Sequence, residues 1–554
     1  MSPTNNENLN FSPTALQILH DRYLWRDDQG NVTETPKQML MRVAGAIAQG
    51  DKKKEKKYYA MMERLDFLPN SPTLMNAGRE GIHGQLAACY VLGIKDSMQS
   101  IFETLGHQAL IHKTGGGTGF NFSTLRPKNA PVRSTNGRAS GPVSFMELFD
   151  MATEKVQQGG MRRGANMAIL NVDHPDIHEF ITAKATDGKL ANFNLSVGIT
   201  DAFMEQVLEA EPGAIDIWRK LVTSAWATGD PGIIFLDTLE KGNPTPHLGK
   251  LDTTNPCGES PLYPNEACNL GSINVSNFYE DGQFDWPRFT ETIHTAVQFL
   301  DAVIDVNHYP LPIIEQTVKR ARKIGLGIMG FADLLYKMGI SYDSKQAQRY
   351  GGRLMEYIKK EAHVASAELG VYPAYDPKHC KHQPRKNATL TCIAPTGTIS
   401  LLADCSSGIE PVFALTHTRK YTNKEGKTET ITIIHPEYQK ALNDKNDPRY
   451  GIDVFVTAHD IPTETHIHMQ AEFQRHTDLA VSKTINMPNT ATVDTVADAY
   501  LLAWALGCKG TTIYRDGSKA NQVLTHACPE CGGEMKPSDG CSLCVECGYS
   551  PCGV

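Results

Sequence analysis

The sequence predicts an α/β fold, because short apolar runs alternate with helical segments along most of the chain. The clearest apolar runs are Gly232 to Leu236, Thr389 to Ala394 and Thr511 to Tyr514. The clearest helical segments are predicted near 286–306, 344–369, 464–483 and 491–507. No internal repeat and no low-complexity tract interrupts this alternation. We therefore expect one continuous body that extends to about Tyr514.

Composition and charge narrow the class of protein. Of the 554 residues, 40% are apolar and 21% are charged, as is usual for a soluble globular protein. A formal net charge of -8 argues against a general nucleic-acid binder, which is usually basic. No apolar run is long enough to span a membrane, and Met1 to Asn10 lacks the regions of a signal peptide. We therefore expect a cytoplasmic protein whose 13 cysteines stay mostly reduced.

The first part of the chain is predicted to be helical. Residues 1–70 contain a partial helical stripe of apolar side chains and a lysine-rich run that we interpret as a solvated face. Leu68 to Gly78 holds too much proline and glycine for a regular element. Leu86 to Ile94 is predicted to be a buried strand, and it carries Cys89.

A helix and a glycine-rich turn follow this strand. Asp96 and Ser97 can cap a helix that continues to about Lys113. Thr114 to Gly119 then forces a turn where a ligand can approach the backbone closely. The turn is not a Walker loop, because the lysine precedes the glycines instead of following them.

The next helix is predicted from a capping box, Ser144 to Glu147, and it should stop at Gly159 and Gly160. The loop 161–166 after it contains two adjacent arginines, Arg162 and Arg163. Arginines on a glycine-rich loop can bind a nucleotide, but the same pattern equally fits a solvated basic turn.

The stretch with the strongest chemical character is Asn255-Pro-Cys-Gly-Glu259, which Cys268 follows after a short loop. Proline and glycine on either side of Cys257 indicate a tight turn instead of a helix or a central strand. A cysteine on a turn between an amide and a carboxylate is placed for chemistry more than for packing. The competing interpretation, a buried cysteine that acts as a small hydrophobe, is weaker for Cys257 and about even for Cys268.

Two further patterns concern anions and thiols. Ala394 to Ser400 follows a predicted strand and combines proline, glycine and hydroxyl residues, which can form an anion cradle or simply a turn. The isolated cysteines have no comparable setting, so we interpret Cys380, Cys392, Cys405 and Cys508 as structural. His466 and His468 are predicted to lie on a helix and not on a metal.

The end of the chain is rich in cysteine and forms a separate unit. Two Cys-x-x-Cys-Gly knuckles predict a zinc ribbon, because four thiolates can surround one metal ion. The predicted ligands are Cys528, Cys531, Cys544 and Cys547. Cys541 and Cys552 remain for redox work. Cys541 with Cys544 also has metal spacing, and Cys547 with Cys552 could instead be the redox pair.

Taken together, these motifs resemble the catalytic chain of ribonucleotide reductases, and most of all the adenosylcobalamin-dependent class II enzymes. The likeness extends from about residue 13 to the end of the chain. It implies a ten-stranded α/β barrel with Cys257 on a loop through its centre. The corresponding domains are a helical region at 1–70, the barrel at 71–514, a linker at 515–527 and the cysteine-rich tail at 528–554.

The resemblance also implies a role for each residue near the turn. Cys257 would be a thiyl radical that takes the 3′ hydrogen atom of a ribose. Glu259 would accept the 3′-hydroxyl proton as general base, and Asn255 would hydrogen-bond the developing carbonyl. Cys89 and Cys268 would supply the electrons that reduce the 2′ carbon, and would end as a disulfide.

Substrate and effector contacts are implied in the same way. The substrate phosphates would be held by Pro395, Thr396, Gly397, Thr398 and Ile399. The sugar would be lined by Ser71, Ala88, Cys89 and Gly117. Many relatives have serine where this chain has Ala88, so only a backbone contact is expected there. A dNTP effector at a homodimer interface would contact Asp96, Ser97, Gln99 and Arg162, and the loop 161–166 would relay its identity to the substrate base.

The radical source that the resemblance implies is adenosylcobalamin. Relatives that take the radical from a second subunit carry paired tyrosines near the end of the barrel, whereas Tyr514 stands alone here. Relatives with a glycyl radical end differently, and Gly548 belongs to a predicted zinc knuckle. The chain has no Asp-x-His-x-x-Gly cobalamin motif, and class II reductases do not use one.

Three further expectations and two alternatives follow. The substrate is expected to be a ribonucleoside diphosphate, and the tail is expected to re-reduce the Cys89–Cys268 disulfide with electrons from a thioredoxin-like protein. The chain begins close to the catalytic body, without room for an ATP-binding cone, so dATP should not switch off overall activity. A reductase of another radical class is the alternative among enzymes. A zinc-ribbon nucleic-acid-binding protein is the alternative from a different class.

Overall fold

The computed structural model describes residues 11–79, 84–133, 136–156, 164–186, 188–422, 428–443, 451–518, 535–538 and 541–544. Its α-helices, numbered α1 to α18 in chain order, are Pro13–Arg22, Pro36–Ala48, Lys52–Glu63, Ser71–Asn76, Met98–Lys113, Pro142–Lys155, Ile177–Ile181, Asp201–Leu208, Pro212–Thr228, Leu236–Lys241, Trp286–Val306, Pro312–Ala321, Phe331–Lys337, Lys345–Glu368, Gly397–Leu402, Pro436–Asn443, Thr463–Gln474 and Val493–Ala505. Its strands, numbered β1 to β18, are Phe67–Pro69, Cys89–Val91, Gly117–Asn121, Pro131–Val132, Gly137–Arg138, Asn166–Asn171, Phe193–Ile199, Gly232–Phe235, Glu266–Asn274, Tyr279–Glu280, Gln283–Phe284, Ile324–Met329, Thr416–Thr422, Thr428–Ile434, Thr484–Met487, Gly510–Arg515, Met535–Ser538 and Cys541–Cys544.

The centre of the fold is a barrel made of two sets of parallel strands. The first set is β2, β3, β6, β7 and β8, each parallel to the next. The second set begins with the parallel pair β9 and β12 and ends with the parallel pair β15 and β16. β2 pairs antiparallel with β9, and β8 pairs antiparallel with β16. The two sets therefore join at both of their edges.

The segment 389–394 closes the second set. Thr391 forms a parallel bridge with Leu326 of β12, and Ile393 forms one with Val481, just before β15. The Ser482 N–H donates to the Ile393 carbonyl oxygen at 2.8 Å. The apolar run at 389–394 thus takes the place of a strand, although it does so through isolated bridges and not through a continuous ladder. With it, each set has five members among the described residues.

Most predicted elements match the structure, and three predictions are wrong at least in part. Leu68 to Gly78, predicted to lack a regular element, contains the helix α4, because Asn70 caps it and proline is accepted in a first helical turn. α11 covers the predicted 286–306, while α14 and α18 end within two residues of their predictions. The helix predicted at 464–483 ends at Gln474. Its remaining residues turn back into the barrel, because the backbone around 479–482 pairs with the segment 389–394. The helical spacing of apolar residues continues past Gln474 into a buried extended segment, so spacing alone does not show where the helix ends.

The capping box predicted at Ser144 is absent. α6 begins two residues earlier, at Pro142, and its N-cap is Gly141, which makes no side-chain capping bond. Gly141 has a φ of 83°, and proline at the first helical position supplies the pre-set φ that starts the helix. The helix ends at Lys155, and the glycine pair at 159–160 lies outside the described residues.

The prediction of a helical N-terminal region followed by an α/β barrel is confirmed. α1, α2 and α3 all lie within the first seventy residues, and a capping box between Thr35 and Gln38 starts α2. The long α11 lies against β9 and β12 and buries one face of Phe and Ile side chains. Among the described residues, no helix combines the length and the apolar character that a membrane crossing requires.

Candidate active site

A tight hairpin presents Cys257. Thr254 and Pro261 pair as an antiparallel bridge at its base, and the Gly258 N–H donates to the Asn255 carbonyl oxygen at 3.1 Å at its tip. Gly258 has a φ of 81°, a conformation that glycine adopts without steric cost. Cys257 is exposed, whereas Asn255 and Glu259 are 2% exposed. The hairpin therefore buries its polar side chains and leaves the thiol accessible.

Contacts from opposite parts of the barrel hold this hairpin in the interior. A Cβ atom at Gly119 of β3 would collide with the backbone oxygen of Thr254, and one at Gly117 would lie 2.8 Å from Pro256. The side-chain amide of Asn194 donates to the Pro256 carbonyl oxygen at 2.7 Å. The glycines on β3 thus leave space for the hairpin, and a hydrogen bond from β7 holds its backbone.

The far side of the hairpin is held by the second strand set. The Ala480 N–H donates to the Glu259 carbonyl oxygen at 2.8 Å. Because strand neighbours on both sides bind the hairpin backbone, the position of Cys257 is determined by the barrel and not by the hairpin sequence alone.

Cys89 and Cys268 face each other across two antiparallel strands. They are register partners in the β2–β9 ladder, and both are free thiols buried to within 3% exposure. Directly opposed residues in an antiparallel pair have Cα atoms about 4.5–5.5 Å apart, within the range that a disulfide spans. The backbone therefore permits a disulfide between these two positions without large movement.

A short hydrogen-bond network connects this pair with the hairpin. The side-chain amide of Asn255 donates to the Cys89 sulfur at 3.1 Å. The Cys89 thiol donates to Glu259 Oε1 at 3.7 Å. Asn255 Oδ1 accepts the Ser260 N–H at 2.9 Å, which fixes the orientation of its amide. The Cys89 thiol thus contacts both the Asn255 amide and the Glu259 carboxylate.

Both opposed thiols are held in their neutral form. Burial raises the pKa of Cys89 well above its ordinary value, and the Glu259 carboxylate raises it further. Burial also raises the pKa of Cys268, as Glu266 does, while Lys323 opposes the increase. Neutral thiols can donate a proton or a hydrogen atom, whereas a thiolate cannot.

Sequence reasoning missed a further thiol in this region. Cys392, which the sequence predicts to be structural, is fully buried in the same apolar cluster as Cys89 and Cys268, a proximity that the sequence does not show. Its sulfur would lie 3.0 Å from a Cβ atom at Gly325 of β12, so it points over that glycine toward β9. Only the position of Cys392 in a segment that leads to the predicted anion cradle could have indicated this.

A cavity of about 260 Å³ lies beside Cys257 and collects most of the predicted substrate residues. Its wall includes the predicted sugar and phosphate residues together with the hairpin: Ser71, Ala88, Cys89, Gly117, Asn255, Cys257, Glu259, Pro395, Thr396, Gly397, Thr398 and Ile399. Residues separated by more than 300 positions in the sequence therefore meet in one space. Their individual roles stay predictions.

The predicted phosphate-binding segment, 395–399, contains a turn that a hydrogen bond holds in place. Thr396 has a φ of 55° and is buried, and its hydroxyl oxygen accepts the Gly408 N–H at 2.7 Å. Gly397 then begins the short helix α15. Ser71 is also held, because its hydroxyl lies 2.7 Å from the hydroxyl of Tyr23, which comes from the N-terminal helical region.

The predicted effector residues do not line this cavity. Asp96 forms an exposed ion pair with Arg126 at 2.7 Å. Ser97 caps α5 through the Ser100 N–H, and the Gln99 side chain donates to Glu103. They cluster at the start of α5, while Arg162 lies outside the described residues. Their predicted role is untested.

A second, larger cavity of about 880 Å³ meets the first at the hairpin tip. Pro256 and Cys257 line both cavities. Much of the remaining wall of the larger cavity comes from β7, β8, β15 and β16 and from the segment 400–414, and Asp333 and His435 also lie on it. Tyr514 also lies on this wall.

The predicted zinc site is untested. Four of the tail cysteines, Cys528, Cys531, Cys547 and Cys552, lie outside the described residues. Cys541 and Cys544 fall on β18, whose backbone pairs antiparallel with β17. Among the residues that the structure does describe, no group of three or more metal-binding side chains is arranged to hold an ion.

Comparison with known proteins agrees with this geometry. The family description "Ribonucleotide reductase, barrel domain" matches residues 87–214, 209–384 and 378–514, and "Ribonucleotide reductase, all-alpha domain" matches 9–81. A vitamin B12-dependent ribonucleoside-diphosphate reductase of Mycobacterium tuberculosis is 43% identical over 95% of this chain and 80% of its own length. One of Thermoplasma acidophilum is 43% identical over 94% of this chain and 81% of its own length. With barrel, hairpin and thiols in the arrangement described, the chain belongs to the ribonucleotide reductase family.

Proposed function

We propose that this chain is a cobalamin-dependent ribonucleotide reductase that converts ribonucleoside diphosphates to 2′-deoxyribonucleotides for DNA synthesis. The names of the similar proteins supply the cofactor and the diphosphate substrate. The observation that carries the proposal is the accessible Cys257 at a cavity whose wall also holds Cys89 and Glu259. Cys268, directly opposite Cys89, completes a two-electron donor.

The residues divide the reaction among them. The Cys257 sulfur, as a thiyl radical, takes the 3′ hydrogen atom of the ribose and later returns it. Glu259 accepts the 3′-hydroxyl proton while the 2′-hydroxyl leaves as water with a proton from the thiol pair. Cys89 and Cys268 give up two electrons and form their disulfide. Asn255 hydrogen-bonds the carbonyl that develops at C3′.

Cobalamin fits the larger cavity by the chemistry of its wall. Adenosylcobalamin, when bound, supplies the radical that starts the reaction. One polar atom on that wall, His435 Nδ1, is buried without a hydrogen-bond partner among the described residues. An amide-rich ligand satisfies such atoms. Cys257 would then lie between the cofactor on one side and the ribose on the other.

The direct test is product analysis with the purified chain, adenosylcobalamin and each ribonucleoside diphosphate and triphosphate, with dNTP effectors varied. We expect deoxyribonucleotides from diphosphates without any second subunit. Cys257→Ala should abolish turnover, while Cys380→Ala, at a half-buried thiol that lines neither cavity, should retain it. Activity in Cys257→Ala would contradict the proposed thiyl-radical mechanism. A requirement for a second protein would instead favour another radical class.

We also propose that α5 and α6 form a homodimer interface with the dNTP effector beside it. Both helices expose apolar side chains: Met98, Phe102 and Leu110 on α5, and Leu148 and Met151 on α6. Contiguous apolar exposure of this kind marks an association surface. Gln108 of α5 donates to Thr153 of α6 at 2.8 Å, so the two helices form one surface. The proposed effector residues lie at the N-terminal end of α5.

The cysteine-rich tail is proposed to be a zinc-stabilised shuttle between the active-site disulfide and a thioredoxin-like protein. The buried disulfide positions support this role, because an external protein cannot reach thiols with 3% exposure or less. Deletion of 528–554 should leave a single turnover with dithiothreitol intact and block cycling with thioredoxin. Cycling at the original rate would reject the shuttle.

A further inference from the structure

The wall of the larger cavity contains a polar cluster that the proposed chemistry does not use. Asp333 of α13 is 7% exposed and binds two groups at once. One of its carboxylate oxygens accepts the Ser406 N–H at 2.7 Å, and the other accepts His435 Nε2 at 3.0 Å. All three residues line the larger cavity.

The carboxylate determines which ring nitrogen of His435 carries hydrogen. A carboxylate only accepts, so Nε2 donates to it, and in the tautomer with one ring hydrogen Nδ1 is then an acceptor. Although burial raises the pKa of Asp333, the hydrogen bonds from His435 and Ser406 hold it below its ordinary value, so the carboxylate stays ionised. The Tyr336 ring packs edge-on against the His435 ring, with their centroids 5.3 Å apart, and restricts the plane of the imidazole.

Both ends of this cluster can bind a further group. Nδ1 of His435 is buried and makes no hydrogen bond within the described part of the chain, and the buried Ser406 hydroxyl lies beside the Asp333 carboxylate. An unsatisfied buried polar group costs roughly 1–3 kcal/mol. One acceptor and one hydroxyl donor, oriented by a single carboxylate, match the N–H donor and the carbonyl acceptor of a primary amide.

We infer that His435 and Ser406, oriented by Asp333, form a hydrogen-bonding subsite for the amide side chains at the periphery of the corrin ring. The inference rests on the proposed use of cobalamin. His435 Nδ1 accepts from an amide N–H, and the Ser406 hydroxyl donates to an amide oxygen. Asp333 is a positioning residue, since it touches His435 and Ser406 and not the ligand.

The test measures binding of adenosylcobalamin to the full chain by equilibrium dialysis, with the bound cofactor read from its visible absorbance. His435→Phe keeps the ring and removes both nitrogens, and we expect it to weaken the Kd by about tenfold, the loss of one hydrogen bond of about 1.4 kcal/mol. Ser406→Ala should weaken it by roughly fivefold, by the same reasoning. His435→Gln keeps a donor for Asp333 and an acceptor for the ligand, so it should bind more tightly than His435→Phe.

The matched control is His294→Phe. His294 is also paired with a carboxylate, Glu361 at 3.1 Å, and it lines neither cavity. Its substitution should leave the Kd unchanged. Thermal unfolding without cobalamin shows whether each variant is folded. If His435→Phe is unfolded, the Kd of Ser406→Ala tests the subsite in its place.

The outcomes separate the inference from the proposed function. Wild-type Kd values in His435→Phe and Ser406→Ala, with a wild-type chain that binds cobalamin and reduces nucleotides, would overturn the subsite alone. Equal weakening by His294→Phe would also overturn it, because the effect would then be structural. A wild-type chain that does not bind adenosylcobalamin at all would overturn the proposed cofactor and the subsite with it.

Discussion

At the scale of single residues, the proposed radical thiol and its proposed reducing partners differ in how the sequence presents them. Cys257 is recognisable locally, because proline, glycine, asparagine and glutamate surround it within five positions. Cys89 and Cys268 are related only by strand register, and nothing in their local sequence states that they are opposite each other. Cys392, which joins the same apolar cluster, carried no local signal.

Register predicts which of these thiols form a disulfide. After one turnover without reductant, peptide mapping should find Cys89 linked to Cys268, because these positions are directly opposed. Cys392 should remain alkylatable once the chain is unfolded, because it is a register partner of neither thiol. A Cys392 disulfide in the mapped peptides would contradict this assignment.

At the scale of elements, glycine positions decide where the hairpin can lie. Gly119→Ala places a methyl group against the backbone oxygen of Thr254, and neither β3 nor the hairpin base has space to yield. We expect at least a tenfold loss of turnover, since a displacement of about 1 Å can cost about 100-fold in rate. The measurement is nucleotide reduction at saturating substrate.

Gly213→Ala is the control for this variant. Gly213 lies in α9, and a Cβ atom there meets nothing within 4 Å. Alanine in a helix is favoured over glycine by roughly 0.5–1 kcal/mol, so this variant should be active and slightly more stable. Full activity in Gly119→Ala would show that the hairpin is not held against β3.

A buried carboxylate stabilises the segment that closes the barrel. Asp478 accepts the Leu390 N–H at 2.9 Å and pairs with Lys359 and Arg385. Although burial raises it, these two cations lower the pKa of Asp478 from 3.8 to about 2. The lowered pKa adds about 2 kcal/mol of stability above pH 4, which is lost as the pH falls toward 2.

Asp478→Asn should therefore lower the thermal unfolding midpoint near neutral pH. The difference from the wild type should shrink as the pH falls below 4, because the unfolded wild-type chain then takes up a proton at position 478 that the folded chain does not. The control is Asp28→Asn, at an exposed loop position. A difference that stays constant down to pH 3 would show that the charge of Asp478 is not responsible.

At the scale of the whole molecule, the exposed helices predict an association. Phe102 is 51% exposed at the centre of the apolar surface on α5. Phe102→Glu should convert a dimer to a monomer in sedimentation experiments and remove the response to dNTP effectors, because a charge in an apolar interface is costly. Leu208→Glu, at a 61% exposed leucine on α8, should leave both unchanged. An unchanged dimer would place the interface elsewhere.

Much of this protein was determined by the sequence itself: the α/β alternation, the helical start, the turn that carries Cys257 and the segment from Pro395 to Ile399. These features are local, since turn chemistry and periodicity act over a few neighbouring residues. Tertiary structure alone decided the rest. Only in the folded chain is it visible that α17 ends at Gln474 and that Cys392 lies with Cys89 and Cys268. The same holds for the contact between Asp333 and His435 and for the meeting of both cavities at one hairpin tip. Such contacts depend on strand register and barrel closure, which arise between segments hundreds of residues apart and leave no mark on either segment by itself.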